Sequence, residues 1–233
     1  MVSRCLLIAI DGPAGAGKSA TARELAVRLG VPYLDTGAMY RAVALLARRA
    51  GLAPELDAEG RRAVVGFAER LDVGFRDDPR AQRVLLDGDD VTEALRAPEV
   101  SQLASVVSAI PEVRRQMVRR QRELAARSGG VVEGRDIGTV VFPDATLKVF
   151  LTAEPEVRAR RRFDELTRRG VAASWEEVLE EQRERDRRDS TRPDSPMRPA
   201  EGAVIVDTSL LTLPEVVEAL VALLPSTANP LTP

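Results

Sequence analysis

The chain contains no histidine, which removes every mechanism built on an imidazole base, a histidine-held metal or a Ser-His-Asp relay. Cysteine occurs once, at Cys5. No internal disulfide can form, and a reducing, cytoplasmic setting is expected. Aromatic side chains make up 3% of the residues, so the core must be built from Leu, Val, Ile and Ala. Lysine is scarce: only Lys18 and Lys148 accompany the arginines. Arginine abundance alone therefore says little about phosphate binding, while a lone lysine in a glycine-rich loop stands out. The longest apolar runs, such as residues 5–10, are far too short to cross a bilayer. No apolar stretch with a small-residue cleavage site marks a secretory leader, and none is expected. Acidic residues (36) slightly outnumber basic ones (34), giving a net charge of −2, against the basic surplus of a nucleic-acid binder.

What remains is ordinary for a globular protein: 233 residues, 44% hydrophobic and 30% charged, enough for one α/β core with inserts. Residues 5–10 form a β-branched run that stops at Asp11-Gly12-Pro13 and reads as a strand buried on both faces. Ala22, Leu25, Ala26 and Leu29 then repeat at helical spacing until Gly30 and Pro32. Tyr33-Leu34 predicts a second short strand. Apolar stripes follow at Val43, Leu46, Ala47 and Ala50, and at Val64, Phe67, Ala68 and Leu71. Leu71, Val73 and Phe75, then Val84 and Leu86, alternate with polar residues around turns at Asp77-Asp78-Pro79 and Asp87-Gly88-Asp89-Asp90. That pattern predicts a small antiparallel patch. Main-sheet strands are expected at 130–133, 146–151 and 203–206. Helices are expected from Pro111 to about Arg127, Glu156 to Arg168 and Ser174 to about Asp189, with a last one capped by Thr212. Residues 226–233 read as a frayed tail.

Gly12-Pro13-Ala14-Gly15-Ala16-Gly17-Lys18-Ser19 fits G-x-x-x-x-G-K-[ST] between a strand and a helix, the context that gives the pattern meaning. Glycines let successive N–H groups approach an anion without a Cβ clash, and the helix start adds its positive dipole end. Lys18 can reach β- and γ-phosphates, and the Ser19 hydroxyl can ligate Mg²⁺. The loop marks a nucleoside triphosphate site. A guanine-reading N-K-x-D run is missing, and no apolar run ends in Asp-Glu, so GTPases and motor ATPases are disfavoured. A compact kinase acting on a small phosphorylated acceptor fits better.

Arginines supply a second theme. They occur in Asp35-Thr36-Gly37-Ala38-Met39-Tyr40-Arg41, in Glu133-Gly134-Arg135-Asp136, and in Glu184-Arg185-Asp186-Arg187-Arg188-Asp189-Ser190-Thr191-Arg192. The first two follow predicted parallel strands, whose ends line the ligand crevice of a doubly wound sheet, and arginine forks suit a phosphate monoester. For Arg41 by itself, a solvated helix charge is an equal reading. Residues 158–192 hold 11 arginines against 9 acids, a largely self-paired stretch. Within it, residues 158–169 suit either a mobile lid over phosphates or a solvated helix face. Trp175, spaced helically with Val178, Leu179 and Gln182, reads as core.

Taken together, I-D-G-P-A-G-A-G-K-S (10–19), L-D-T-G-A-M-Y-R (34–41), L-A-S-V-V-S with P-E-V-R (103–114), E-G-R-D-I-G-T-V-V-F-P-D-A (133–145) and E-R-D-x-R-D-x-x-R (184–192) resemble the bacterial cytidylate kinases. The resemblance implies a three-layer P-loop kinase fold: a five-stranded parallel core from 1–35, 106–154 and 190–225, a CMP-binding insert with a small antiparallel sheet at 36–105, and an Arg-rich lid with its following helix at 155–189. It implies transfer of the γ-phosphoryl group of ATP to CMP or dCMP with Mg²⁺. On matching positions, Gly12 through Ala20 hold ATP, with Ala20 where many members carry Ser or Thr. Lys18, Arg135, Arg192, Arg158 and Arg162 serve the transfer. Arg41, Arg135 and Arg192 hold the acceptor phosphate; Ser105, Arg114 and Asp136 read cytosine; Arg185 and Asp189 reach the sugar. Tyr40 packs beside the nucleotide and Thr36 keeps a hydroxyl where some members have Ser. Ser19 ligates Mg²⁺, with Asp35 or Glu133 acting through water. ATP and CMP or dCMP are the expected partners of a monomer, with no nucleic acid and no membrane. Readings that compete are a kinase for another acceptor such as UMP or AMP, a nucleotide-sensing module without turnover, and, least favoured, a nucleic-acid binder.

Overall fold

The computed structural model describes residues 6–76, 82–126 and 129–224. Cys5, the turn at Asp77-Asp78-Pro79, the helix end at Arg127 and the tail lie outside them. Five strands form one sheet: β1 (Leu7–Asp11), β2 (Tyr33–Asp35), β6 (Gly130–Glu133), β7 (Leu147–Thr152) and β8 (Val204–Asp207). Their order across the sheet is β2-β6-β1-β7-β8 and every pairing is parallel. Helices α1 (Lys18–Leu29) and α8 (Leu213–Ala222) cover one face, packing on Ile8, Ile10, Val131, Val149 and Leu151. The other face, with Ala9, Leu34 and Val132, is covered by the end of α5 (Pro111–Ala125) and by a π-helical turn at Ile137–Val141. These are three layers around a central β1, buried on both sides as a parallel strand must be.

A second core lies beside the sheet. It gathers α2 (Thr36–Arg49), α3 (Ala58–Glu69), α4 (Pro98–Val107) and α5 around Met39, Val43, Val64, Leu103 and Met117. A separate antiparallel sheet joins it through β3 (Val73–Arg76), β4 (Arg83–Leu86) and β5 (Asp89–Asp90). The sequence pattern finds the first two strands but reads Asp89 and Asp90 as part of a turn. The turn itself is only Asp87-Gly88, both at positive φ (51° and 88°), the tight hairpin type that matches strand twist. Helix α4 has no counterpart among the expected elements. Its signal is present, since Pro98 occupies the first turn and Val100, Leu103, Ala104 and Val107 share the buried face. The π-helical turn is likewise unforeseen, because no apolar periodicity marks it.

Helices α6 (Pro155–Arg168) and α7 (Trp175–Thr191) form a hairpin after β7. Ser174 caps α7 in a reciprocal arrangement with Glu177. Phe163 meets Trp175 edge-to-face at 6.5 Å, and Arg160 stacks over Trp175 at 4.8 Å. Trp175 thus packs inside the hairpin with Ala159, Leu166 and Val178. The hairpin reaches across to the second core, where Arg169 Nη1 donates to the Arg96 carbonyl (2.9 Å) and Gln102 Nε2 to Glu181 Oε1 (2.7 Å). Among the described residues, no helix is long and apolar enough to cross a membrane.

Candidate active site

The carboxyl ends of β1, β2 and β6 open into one cleft of about 1020 Å³, roofed by the α6–α7 hairpin and walled by α2 and α4. The glycine-rich loop leaves β1 at Gly12, where φ is 141° and an added Cβ would lie 1.9 Å from the Leu151 carbonyl oxygen. No other residue fits so close to β7. Gly17, at φ 88°, turns the chain into α1. Ala14, Gly15, Gly17, Lys18, Ser19 and Ala20 line the cleft, while Ala16 turns into the core beside Leu25 and Val217. Lys18 is 6% exposed and its Nζ donates to the Pro13 carbonyl at 2.7 Å. Burial and the Arg135 guanidinium push its pKa down to about 7, against the pull of Glu133.

Beside the loop stand two acids and a hydroxyl. Glu133, the last residue of β6, is buried; its Oε1 accepts from the Tyr33 phenol (2.5 Å) and its carboxylate bonds the Ser19 hydroxyl. Burial and the neighbouring Asp35 push its pKa up. Asp35 caps α2 through the Ala38 amide (3.0 Å) and pairs with Arg41 at 2.6 Å. Thr36 donates to the Glu133 carbonyl at 2.6 Å, so its hydroxyl fastens β6 to the start of α2. Ser19, Glu133 and Asp35 offer only hard oxygens around one corner. No closed cage of three or more acidic or cysteine groups exists among the described residues. This donor set fits a magnesium ion that takes most of its ligands from phosphate and water.

At the far end, the segment after β6 carries Arg135 and Asp136. Asp136 is buried and pairs with the equally buried Arg114 of α5; Arg192 Nη2 lies 3.8 Å from its other oxygen. Arg114 also donates to the Ser108 carbonyl (3.1 Å) and stacks over Tyr40, 5.7 Å from the ring centre. Burial pushes the Tyr40 phenol up to about 12, keeping it neutral. Three buried polar atoms here have no hydrogen-bond partner: Ser105 Oγ, Arg114 Nε and Arg192 Nη2, the last within ion-pair distance of Asp136. Such buried groups can be satisfied by a ligand's polar edge or by ordered water.

Between the two ends cations crowd together. Arg135 pairs with Asp189 at 3.0 Å, Arg41 with Asp35, and Arg192 lies 3.8 Å from Asp189. Arg185 is pushed down to about 10 by burial and by Arg135, with Arg41 and Arg162 adding to the repulsion. Lys18 feels Arg135 and Arg185 in the same way. This positive charge exceeds its carboxylate partners, and phosphate anions entering the cleft would relieve it.

Thr36, Tyr40, Arg41, Ser105, Arg114, Arg135, Asp136, Arg185, Asp189 and Arg192 therefore meet in a single cleft, which Lys18 and Arg162 also line. Arg158 is placed differently from the expectation that it covers phosphates. It is 5% exposed and lies behind the loop. Its Nε donates to the Ala153 carbonyl (2.8 Å), and its Nη1 to the Ala14 carbonyl (3.1 Å) and Asp186 (2.6 Å). Sequence reasoning misses Asp11, whose two carboxylate oxygens accept from the Ile137 (2.8 Å) and Gly138 (2.7 Å) amides. It thereby ties the strand that feeds the loop to the turn that follows Asp136. The signal was available: a charged residue ending a strand buried on both faces needs buried partners. Thr208 and Arg161, which bond the Ala16 and Gly15 carbonyls of the loop, are also missed, and Arg161 lines the cleft as well.

The family model of the cytidylate kinases matches residues 8–226. The chain belongs to the cytidylate kinase family. It is 50% identical over 218 residues to the cytidylate kinase of Caldanaerobacter subterraneus subsp. tengcongensis, covering 94% of each chain. It is 51% identical over 225 residues to that of Corynebacterium efficiens, covering 96% of each. Among solved structures, an uncharacterized protein from Eubacterium ventriosum superposes with a TM-score of 0.50 at 11% identity, covering 93% of this chain and 96% of that one; that likeness concerns the fold alone. As a cytidylate kinase family member the chain is a kinase.

Proposed function

We propose that this kinase transfers the γ-phosphoryl group of ATP to CMP or dCMP, giving ADP and CDP or dCDP. The observation that carries the reading is the cation cluster of Lys18, Arg41, Arg135, Arg185 and Arg192, only partly neutralised by Asp35, Asp136 and Asp189, set between the glycine loop and the buried polar pocket around Asp136. The loop amides and Lys18 take the donor's phosphates, and Arg162 covers them from α6. Arg41, Arg135 and Arg192 take the acceptor's phosphate, with Arg185 and Asp189 facing its sugar.

Cytosine offers an exocyclic amine as donor. Asp136 accepts from it, and Arg114 and Ser105 donate to the ring's acceptor atoms. Uracil carries a carbonyl in place of that amine and would face the Asp136 carboxylate with no proton to share. No side-chain base is needed, because the acceptor phosphate oxygen is already anionic at neutral pH. The work is alignment and charge neutralisation, which agrees with a chain that has no histidine. Ser19 would ligate Mg²⁺ directly, with Asp35 and Glu133 holding its waters. When bound, the ion supplies further neutralisation of the phosphate oxygens. Closure of the α6–α7 hairpin excludes water that would otherwise hydrolyse ATP.

The test is ADP release measured across a panel of CMP, dCMP, UMP, AMP and GMP. CMP and dCMP should lead UMP clearly. A preference for AMP or GMP would overturn the base assignment, and ATP binding without turnover on any acceptor would overturn the reaction.

A further inference from the structure

The carbonyls of the phosphate loop are held by a row of side-chain donors. The carbonyl of Pro13 accepts from Lys18 Nζ (2.7 Å), and that of Ala14 from Arg158 Nη1 (3.1 Å). The carbonyl of Gly15 accepts from Arg161 Nη1 (3.2 Å), and that of Ala16 from Thr208 Oγ1 (3.1 Å). Four consecutive carbonyls are thus each engaged by a side chain. Of the loop's own amides, only that of Ala16 donates to a backbone carbonyl among the described residues. Arg161 and Thr208 also hold each other: Arg161 Nη2 donates to the Thr208 carbonyl (2.6 Å) and Nη1 to its hydroxyl (3.0 Å). Thr208 is buried and is anchored to β7 by its amide, which donates to the Thr152 carbonyl at 2.8 Å; its single hydroxyl proton is shared between that carbonyl and the one of Ala16, each 3.1 Å away.

The geometry points to Arg161 and Thr208 as positioning residues that pin the outward carbonyls of Gly15 and Ala16, so that the loop's amides face the donor phosphates before the nucleotide arrives. The physical need is plain. A glycine-rich loop has many conformers, and a carbonyl turned inward would set a negative dipole against a phosphate. Fixing the outer side beforehand removes an ordering cost from binding. Because Arg158 and Arg161 both stand on α6, any movement of the α6–α7 hairpin also pulls on the loop. This inference rests on the reading of the loop as the ATP site.

The experiment uses the full chain with three variants, Thr208→Val, Thr208→Ser and Arg161→Gln. It measures ATP and CMP dissociation constants separately by calorimetry, together with kcat, KM and the thermal midpoint. Thr208→Val should weaken ATP binding about tenfold, the cost of leaving a buried acceptor unpaired. It should also lower kcat while the CMP dissociation constant, measured without ATP, stays within about twofold. Thr208→Ser should recover most of the loss. Should Thr208→Val not fold, Arg161→Gln carries the same expectation with a smaller effect on ATP. The inference is overturned by a lowered thermal midpoint with unchanged ATP affinity, by ATP and CMP affinities falling together, or by a serine variant that rescues nothing. A parent protein that binds no ATP overturns the underlying reading and this inference with it. An active parent with unaffected variants overturns the inference alone.

Discussion

The two ends of the cleft are built in opposite ways. On the proposed reading the donor end is one contiguous loop, Gly12 to Ser19, which would hold phosphates mainly through its main chain, with Lys18 and Ser19 as its working side chains. The proposed acceptor end draws side chains from α2, α4, α5, α7 and the segment after β6, with the main chain as their scaffold. A main-chain site tolerates sequence change wherever geometry is kept, while a side-chain site changes its ligand with a single substitution. Damage at the donor end should therefore cost rate, and damage at the acceptor end should cost selectivity.

The sharpest division is expected from Lys18→Ala, which removes the cation carried by the glycine loop. The turnover number should fall by on the order of 10³-fold while the CMP dissociation constant is nearly unchanged. Parent-like turnover would erase the distinction between the ends. Next in size is Asp136→Asn, which breaks a buried pair with Arg114 and replaces an acceptor with a mixed group. The ratio of kcat/KM for CMP over UMP should drop about tenfold or more, with the KM for ATP within about twofold. An unmoved ratio would show that Asp136 does not read the base.

The smallest effect concerns Asp11, which belongs to both ends. Burial, with Asp136 adding to it, pushes its carboxyl up to about 6 from the usual 3.8. Between those values the folded protein binds a proton that the unfolded chain releases. Stability from this group is therefore fullest below about pH 4 and is lost as pH rises through 6. In urea titrations the advantage of the parent over Asp11→Asn should be largest near pH 4 and shrink toward pH 7. A constant gap across that range would refute the assignment.

The same contrast explains what could be read beforehand. The glycine loop, β1, α1 and the parallel sheet follow from local patterns: a β-branched run, glycines at fixed offsets and helical apolar spacing. The residues proposed for the acceptor could be named only through whole motifs such as Glu133-Gly134-Arg135-Asp136, since Arg41 or Ser105 alone has no local signature. Arg158 shows the limit most clearly. On a helix with arginines at 158, 160, 161 and 162, composition does not say which one faces the cleft. That is decided by the Ala153 carbonyl and Asp186, contacts the chain makes only once β7, α6 and α7 are assembled. Helix α4 was missed although its pattern was present, and β5 because two residues are too few for any period to register.

The neighbour relation of β1 and β6 at the middle of the sheet has a further consequence. One strand ends in the donor loop and the other in Arg135 and Asp136, so the two gripping segments start out side by side, about 4.8 Å apart as adjacent strands must be. The sheet serves as a ruler for the gap across which the phosphoryl group would jump. Helices α3 and α4 and the small antiparallel sheet can be lengthened, trimmed or rebuilt to welcome a different recipient without altering that gap.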